Sequence, residues 1–365
     1  MILHVYIARR FLRAFGIVLA VFVSILLPID LAEQIRRVGD TERPVAAALE
    51  LSLLNLPGML YEMLPLFIMI ATLFLFLGLA RTSELVVVRS SGRSALRQTM
   101  SPVVVAICLG IVGVTVINPI VAATERQYET RIAAFRSGEA RTLSVSAEGL
   151  WLRQGSDQGQ TVIRATSANG NGTILREASF FVYGAGGQIS ERIDAEEARL
   201  TRGAWEMTNV KRWPLAGSDN PEGSAVSQAN YALASSLTAE QIRDSFGRPQ
   251  TVPIYELPGF INDLNRAGFA ALTHRVWLQI ELSNPLMLAA MVLIGAGFTM
   301  RHTRFGRTGL MVLSAILLGF GVFFVRNFAQ VLGETAQLPI ALVAWAPPAA
   351  AILLALGLLL HTEDG

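Results

Sequence analysis

Six apolar runs constrain this chain more than any other feature. They lie at about 12–32, 58–80, 101–123, 283–300, 308–328 and 338–360, each close to the length that crosses a bilayer core of roughly 30 Å. With 52% hydrophobic and only 16% charged residues, the chain also lacks the surface of a soluble domain, where about 25% of residues are charged. A soluble enzyme and an intrinsically disordered chain are both excluded. The runs fall as three, then a gap of roughly 160 residues, then three. The expectation is an α-helical membrane protein of six transmembrane helices with an inserted domain, divided as 1–123, 124–277 and 278–365.

Arginines in the short loops set the expected orientation. Arg9, Arg10 and Arg13 open the chain, Arg81, Arg89, Arg93 and Arg97 follow the second run, and Arg301, Arg304 and Arg307 follow the fourth. The opposite short loops hold only Arg36, Arg37 and Arg43. That bias puts both termini in the cytoplasm and the central domain outside, which in a bacterium is the periplasm. The first run ends in Leu27-Pro28-Ile29-Asp30 without a small-x-small cleavage site, so it reads as an uncleaved first span.

Between the two groups of runs the pattern changes. Residues 142–154, 160–165 and 173–183 include alternating apolar and polar positions, and 196–213 reads as a hairpin turning near Arg202-Gly203. Several short strands with regular turns suggest a sandwich or open barrel, α+β for the chain as a whole. After a loose stretch at 214–236, residues 238–276 read as helical, with Ile254, Leu257, Ile261 and Leu264 recurring at helical spacing.

Much chemistry is excluded. Of 30 basic residues only Lys211 is a lysine, and its Asn209-Val210-Lys211-Arg212 setting is not a phosphate-binding loop, so no nucleotide hydrolysis by that route is expected. A formal net charge of +2 gives no basic patch for nucleic acid. The single cysteine, Cys108, reads as a small buried hydrophobe. The four histidines are far apart, so neither a metal site nor a cofactor is expected.

Ala80-Arg-Thr-Ser-Glu-Leu-Val-Val-Val-Arg-Ser-Ser-Gly-Arg-Ser94 resembles the cytoplasmic coupling segment of the lipopolysaccharide-export permeases, the LptF/LptG family. Tyr6-Ile-Ala-Arg-Arg-Phe-Leu, Glu148-Gly-Leu-Trp-Leu, Ser283-Asn-Pro-Leu and the three-plus-three layout agree with it. The wording is closer to the LptG branch than to the LptF branch. The resemblance implies a periplasmic β-jellyroll-like domain and a permease without catalysis of its own. It also implies partners: a homologous LptF-like permease, an LptB-like ATPase dimer on the cytoplasmic face, an LptC-like single-span protein and an LptA-like periplasmic bridge. The cargo would be lipopolysaccharide, extracted from the inner membrane.

Two groups of side chains stand out. A coupling helix is expected near 82–95, with Ser83 as its cap and Glu84 in its first turn, where a carboxylate is favoured. By resemblance Glu84 contacts a basic residue of the ATPase, with Arg89 and Arg93 as further candidates; a plain capped loop is the alternative. At the outer end of the first run, Asp30, Glu33, Arg36 and Arg37 share a helical face, and arginine suits bidentate contact with lipid phosphate. By resemblance Arg36 and Arg37 match a basic pair that contacts the lipid, while Asp30 falls where the family has a lysine. Arg126, Arg131 and Arg136 follow the third run, and could ring the same mouth or pair with Glu125 and Glu129.

In the fifth run Phe320, Phe323, Phe324 and Phe328 form a bulky face for acyl chains or for packing, Gly319 and Gly321 permit close helix approach, and Arg326 needs a partner. The competing readings are another ABC-type lipid or lipoprotein exporter, an ion-coupled transporter and a membrane enzyme. The absence of catalytic residues inside the runs speaks against the last.

Overall fold

The computed structural model describes residues 2–39, 44–85, 94–135, 143–146, 149–156, 159–169, 172–184, 187–216, 220–235, 237–238, 242, 248–266, 271–300 and 308–364. They form two units. One comprises Met1–Ile132, Gln250–Tyr255 and Leu272–Gly365; the other comprises Ala133–Pro249 and Glu256–Ala271.

The first unit is helical. Its helices are α1 (Ile2–Arg37), α2 (Pro44–Glu62), α3 (Leu64–Arg81), α4 (Ala95–Val112), α5 (Asn118–Phe135), α7 (Leu272–Thr299), α8 (Thr308–Glu334) and α9 (Ile340–Asp364). A π-helical turn, Gly113–Ile117, joins α4 to α5 without a break. Among the described residues seven helical stretches are long and apolar enough to cross a membrane, α4 and α5 counting as one.

The additional stretch is α2, which sequence alone assigned to an outer loop and the start of the second run. Its hydropathy is the lowest of the seven, because Glu50 and Glu62 interrupt its apolar residues. A single residue, Met63, separates α2 from α3, and Pro65 occupies the first turn of α3, where its missing N–H costs nothing. The pair is thus one long run bent at Met63.

α3 and α7 form the buried centre. Phe67, Ile68, Met69 and Phe76 of α3 meet Leu288, Met291, Val292 and Ile294 of α7 within one apolar core, with Phe11 of α1 and Ala355 of α9. Small residues set the spacing. A Cβ at Gly110 on α4 would lie 2.6 Å from the Pro285 Cα of α7, and one at Gly319 on α8 would overlap the Met69 sulfur. Gly321, expected to act likewise, has open space around it. Cys108 corrects its expectation: it is exposed, on an outward side of α4 that also shows Val104 and Ile111.

The second unit is a seven-stranded antiparallel sheet in sequential order: β1 (Leu143–Ser146), β2 (Gly149–Ser156), β3 (Gly159–Ala168), β4 (Ile174–Gly184), β5 (Ile189–Thr201), β6 (Ala204–Pro214) and β7 (Val226–Ala234). The hairpin of β5 and β6 turns at Arg202-Gly203 as expected, with Gly203 at φ 91. β7 lies in the stretch read as loose. Among the described residues of 238–276 are a 3-10 turn (Pro249–Thr251), α6 (Leu257–Arg266) and the start of α7, and Leu257, Ile261 and Leu264 are the buried face of α6.

This order is a meander, each strand pairing with its neighbours in sequence. One layer still makes a core because the sheet is folded over. Inward residues alternate along β4, β5 and β6, but in each strand the alternation slips by one residue, at Glu177, Glu196–Glu197 and Thr208–Asn209. Glu177 and Asn209 take left-handed backbone there, φ 49 and 50. The slip keeps Leu175, Ala198 and Met207 on the same side as Phe180, Ile193 and Val210. Register puts Trp205 of β6 about seven residues along the strands from the row of Phe180, a separation of roughly 25 Å on a flat sheet. The two rings are 5.9 Å apart, edge to face.

Candidate functional site

The end of the helical unit that carries the N-terminus holds a closed polar cluster. Ser83 corrects one expectation: its backbone sits at φ 58 and its N–H donates to the Ala80 carbonyl, so it terminates α3 instead of taking the extended form of an N-cap. That turn brings Glu84 back over α1. Glu84 Oε1 accepts from Arg10 Nη1 at 2.8 Å and from Thr82 Oγ1 at 2.7 Å. Oε2 accepts from Arg10 Nη1 and the Tyr6 hydroxyl, each at 2.9 Å. The Arg10 hydrogen bond, then that of Thr82, holds the carboxyl below its ordinary value. Among the described residues, the basic group facing Glu84 is Arg10. Arg89 and Arg93 lie outside the described residues.

The far end of α1 carries the second group. Glu33 accepts from Arg36 at 2.7 Å and from Arg37 at 3.1 Å, the i,i+3 and i,i+4 pairs that helical spacing predicts. Arg36 is 78% exposed, while Arg37 also donates to the Tyr128 hydroxyl at 3.1 Å. Asp30 turns inward and is buried: its Oδ1 accepts from Asn55 at 2.8 Å and from Gln34 at 3.2 Å. Gln34 in turn bonds Tyr128 of α5. Asp30 thus belongs to a polar layer linking α1, α2 and α5, flanked by an apolar patch of Val38, Ala48 and Leu51.

Arg131 pairs with Glu50 of α2 at 3.0 Å. Arg126 donates to the Thr251 carbonyl at 3.1 Å, and so holds the 250–255 segment. That segment is fixed twice more: Ile254 N–H donates to Asn118 Oδ1 at 3.0 Å, and the Tyr255 hydroxyl to the Thr115 carbonyl within the π turn at 2.9 Å. Arg136 lies outside the described residues.

On α8, Phe320, Phe324 and Phe328 point outward, and Phe324 and Phe328 stack with centroids 6.3 Å apart. Phe323 turns in against the core. Arg326 is half-buried and within electrostatic reach of Glu281 and Glu62. Sequence reasoning missed Tyr6, Arg10, Tyr61, Tyr128 and Glu281. The i,i+4 spacing of Tyr6 and Arg10 was the one signal that could have flagged the first pair.

The model of the lipopolysaccharide export system permease family LptF/LptG matches residues 5–361. The chain is 23% identical over 358 residues to the lipopolysaccharide export system permease protein LptG of Escherichia coli K12, covering 97% of this chain and 94% of that protein. It is 22% identical over 333 residues to LptG of Haemophilus influenzae, covering 90% and 89%.

Proposed function

The chain belongs to the LptF/LptG family of lipopolysaccharide export permeases, and from that membership we propose that it is the LptG-type subunit of an ATP-driven exporter. It would extract lipopolysaccharide from the inner membrane and pass it to a periplasmic bridge. The observation that carries this reading is the extent of the family match, which takes in both helical groups and the sheet between them. The partners are an LptF-like permease, an LptB-like ATPase dimer, an LptC-like single-span protein and an LptA-like bridge.

In this reading α2 and α3 make one bent span, six crossings result, and both termini are cytoplasmic. The 124–277 domain is periplasmic and serves as the jellyroll-like carrier of the family. Support comes from the one-residue break at Met63 and from the arginine-rich loops on one side. The ATPase would seat against the segment that begins at Glu84. Arg36, the most exposed cation of its group, is the best-placed side chain for a lipid phosphate, with Arg37, Arg126 and Arg131 near it in role. Phe320 and Phe324 offer an apolar face to acyl chains. Asp30 would act indirectly, through the polar layer that fixes the end of α1.

Affinity purification from native membranes in mild detergent, with mass spectrometry of what accompanies the protein, tests the reading. A soluble ATPase, a second permease of similar length and lipid A glycolipid are the expected companions. An ATPase with a different lipid or a lipoprotein would change the cargo, and no ATPase would overturn the mechanism.

A further inference from the structure

α1 and α3 run antiparallel, with Phe22 against Phe67 at 4.6 Å between ring centroids and Arg10 beside Gly78 nearer one end. Between the two helices at that end lies a cleft of about 220 Å³. Its lining is layered. Arg10, Arg13 and Gly78 form the rim towards the end that carries the N-terminus. Ile17 and Phe74, both exposed, form walls one turn, about 6 Å, further into the span.

Both guanidiniums have donors to spare. Arg10 Nη1 donates to Glu84 and the Tyr6 hydroxyl, while Nη2 stands at the cleft, 3.6 Å from where a Cβ on Gly78 would lie. Arg13 is exposed and, among the described residues, has neither an ion pair nor a hydrogen bond. No carboxylate is among the described residues that line the cleft. Two cations above apolar walls repeat the order of a phospholipid, with its phosphate outermost and its chains beneath. Basic pockets between spans on the cytoplasmic side take such headgroups, and the planar fork of arginine gives paired N–H bonds to a phosphate.

We propose that this cleft binds an anionic glycerophospholipid, with its phosphate held by Arg13 and Arg10 and its acyl chains along Phe74 and Ile17. The cytoplasmic leaflet as its source rests on the reading above, in which both termini are cytoplasmic. The volume fits a phosphoglycerol group better than the larger sugar headgroup of lipopolysaccharide. The lipid is thus a resident of the fold, separate from the cargo.

The test places the full chain, with its co-purifying partners, in nanodiscs of phosphatidylcholine with a minor share of phosphatidylglycerol. Native mass spectrometry after release into mild detergent counts the lipids retained. Phosphatidylglycerol should be enriched by about fivefold or more over its share of the bilayer, the weight of one basic residue near an anionic headgroup. Arg13→Gln should remove most of that enrichment, and Arg13→Lys less of it. Gly78→Val fills the cleft without touching a charge and should act like Arg13→Gln, with an unfolding midpoint near the wild type as the sign that it is folded. Arg97 is exposed near the start of α4, which meets α1 at the same end through Ser101 and the His4 carbonyl, and it lies outside the cleft. Arg97→Gln should therefore keep the enrichment.

Equal retention of the two lipids by the wild type would overturn the site. Equal losses from Arg13→Gln and Arg97→Gln would reduce it to the general attraction of a basic surface. A folded Gly78→Val that keeps its phosphatidylglycerol would remove the cleft as the place of binding. Lipopolysaccharide retained by the wild type and lost in Arg13→Gln would overturn the phospholipid as occupant. The leaflet is read separately, with Arg97→Cys in a Cys108→Ser background: labelling by an impermeant maleimide from outside intact cells would overturn the cytoplasmic reading and leave the binding standing.

Discussion

Tyr61 donates its hydroxyl to Glu281 Oε2 at 2.5 Å and ties α2 to α7 across 220 positions of sequence. Both side chains are buried, Glu281 at 1% exposure. Arg326 lies within electrostatic reach of the pair. Tyr61→Phe keeps the ring and removes the donor. It should lower stability by about 1–3 kcal/mol, the cost of a buried acceptor losing its partner. Thermal unfolding in detergent, compared between the two proteins, checks this.

Two glycines two residues apart on α8 should behave differently. Gly319→Val must push α8 away from Met69, and overpacking of that kind costs about 1–3 kcal/mol. Gly321→Val meets open space and should be close to neutral. The unfolding midpoints of the two variants should therefore separate, with only Gly319→Val well below the wild type.

Acid should loosen the Glu84 cluster. Its hydrogen bonds, that of Arg10 first, depress the folded carboxyl below its ordinary value of 4.5. A depressed carboxyl stabilises the fold above its unfolded value and loses that contribution as pH falls through the folded one. The stability difference between wild type and Glu84→Gln should thus be level from pH 8 to pH 5, and shrink below about pH 4. Melting curves at several pH values check it; a difference that grows on acidification would contradict the pairing.

Cys108 offers a direct view of the surroundings of α4. It is the only cysteine and is exposed between apolar neighbours. In lipid nanodiscs a membrane-permeant apolar maleimide should label it. A charged, impermeant maleimide should react more slowly by about tenfold or more, since it must bring its charge into hydrocarbon. Comparable rates for both reagents would put this side of α4 in water.

What the sequence revealed follows from which forces are local. Apolar runs set the main helices because the bilayer requirement acts on consecutive residues. The hairpin at Arg202-Gly203 was legible because Gly203 needs its left-handed φ of 91. α2 escaped because Glu50 and Glu62 dilute its hydropathy, although Glu50 is matched by Arg131 more than eighty residues away. β7 escaped because it is an edge strand whose residues are mostly exposed, so no alternation marks it. Arg10 read only as a topology signal, since its partner Glu84 lies 74 residues on. Asp30 read as one of the lipid-facing group with Glu33, Arg36 and Arg37, and its burial was not legible because Asn55 and Tyr128, which explain it, come from other helices.

The slip at Glu177, Glu196 and Asn209 has a consequence for how the sheet domain withstands change. Most antiparallel sheets cover their apolar face with a second layer, and can lose a piece of that cover gradually. Here the lid and the vessel are lengths of the same three strands, so Phe180 is sheltered by Trp205 only while the bend between them holds. A residue that resists left-handed backbone at the bend, as in Asn209→Val, works against every inward side chain on both sides of it together. Such a domain opens like a book, along one spine, and three backbone positions keep it shut.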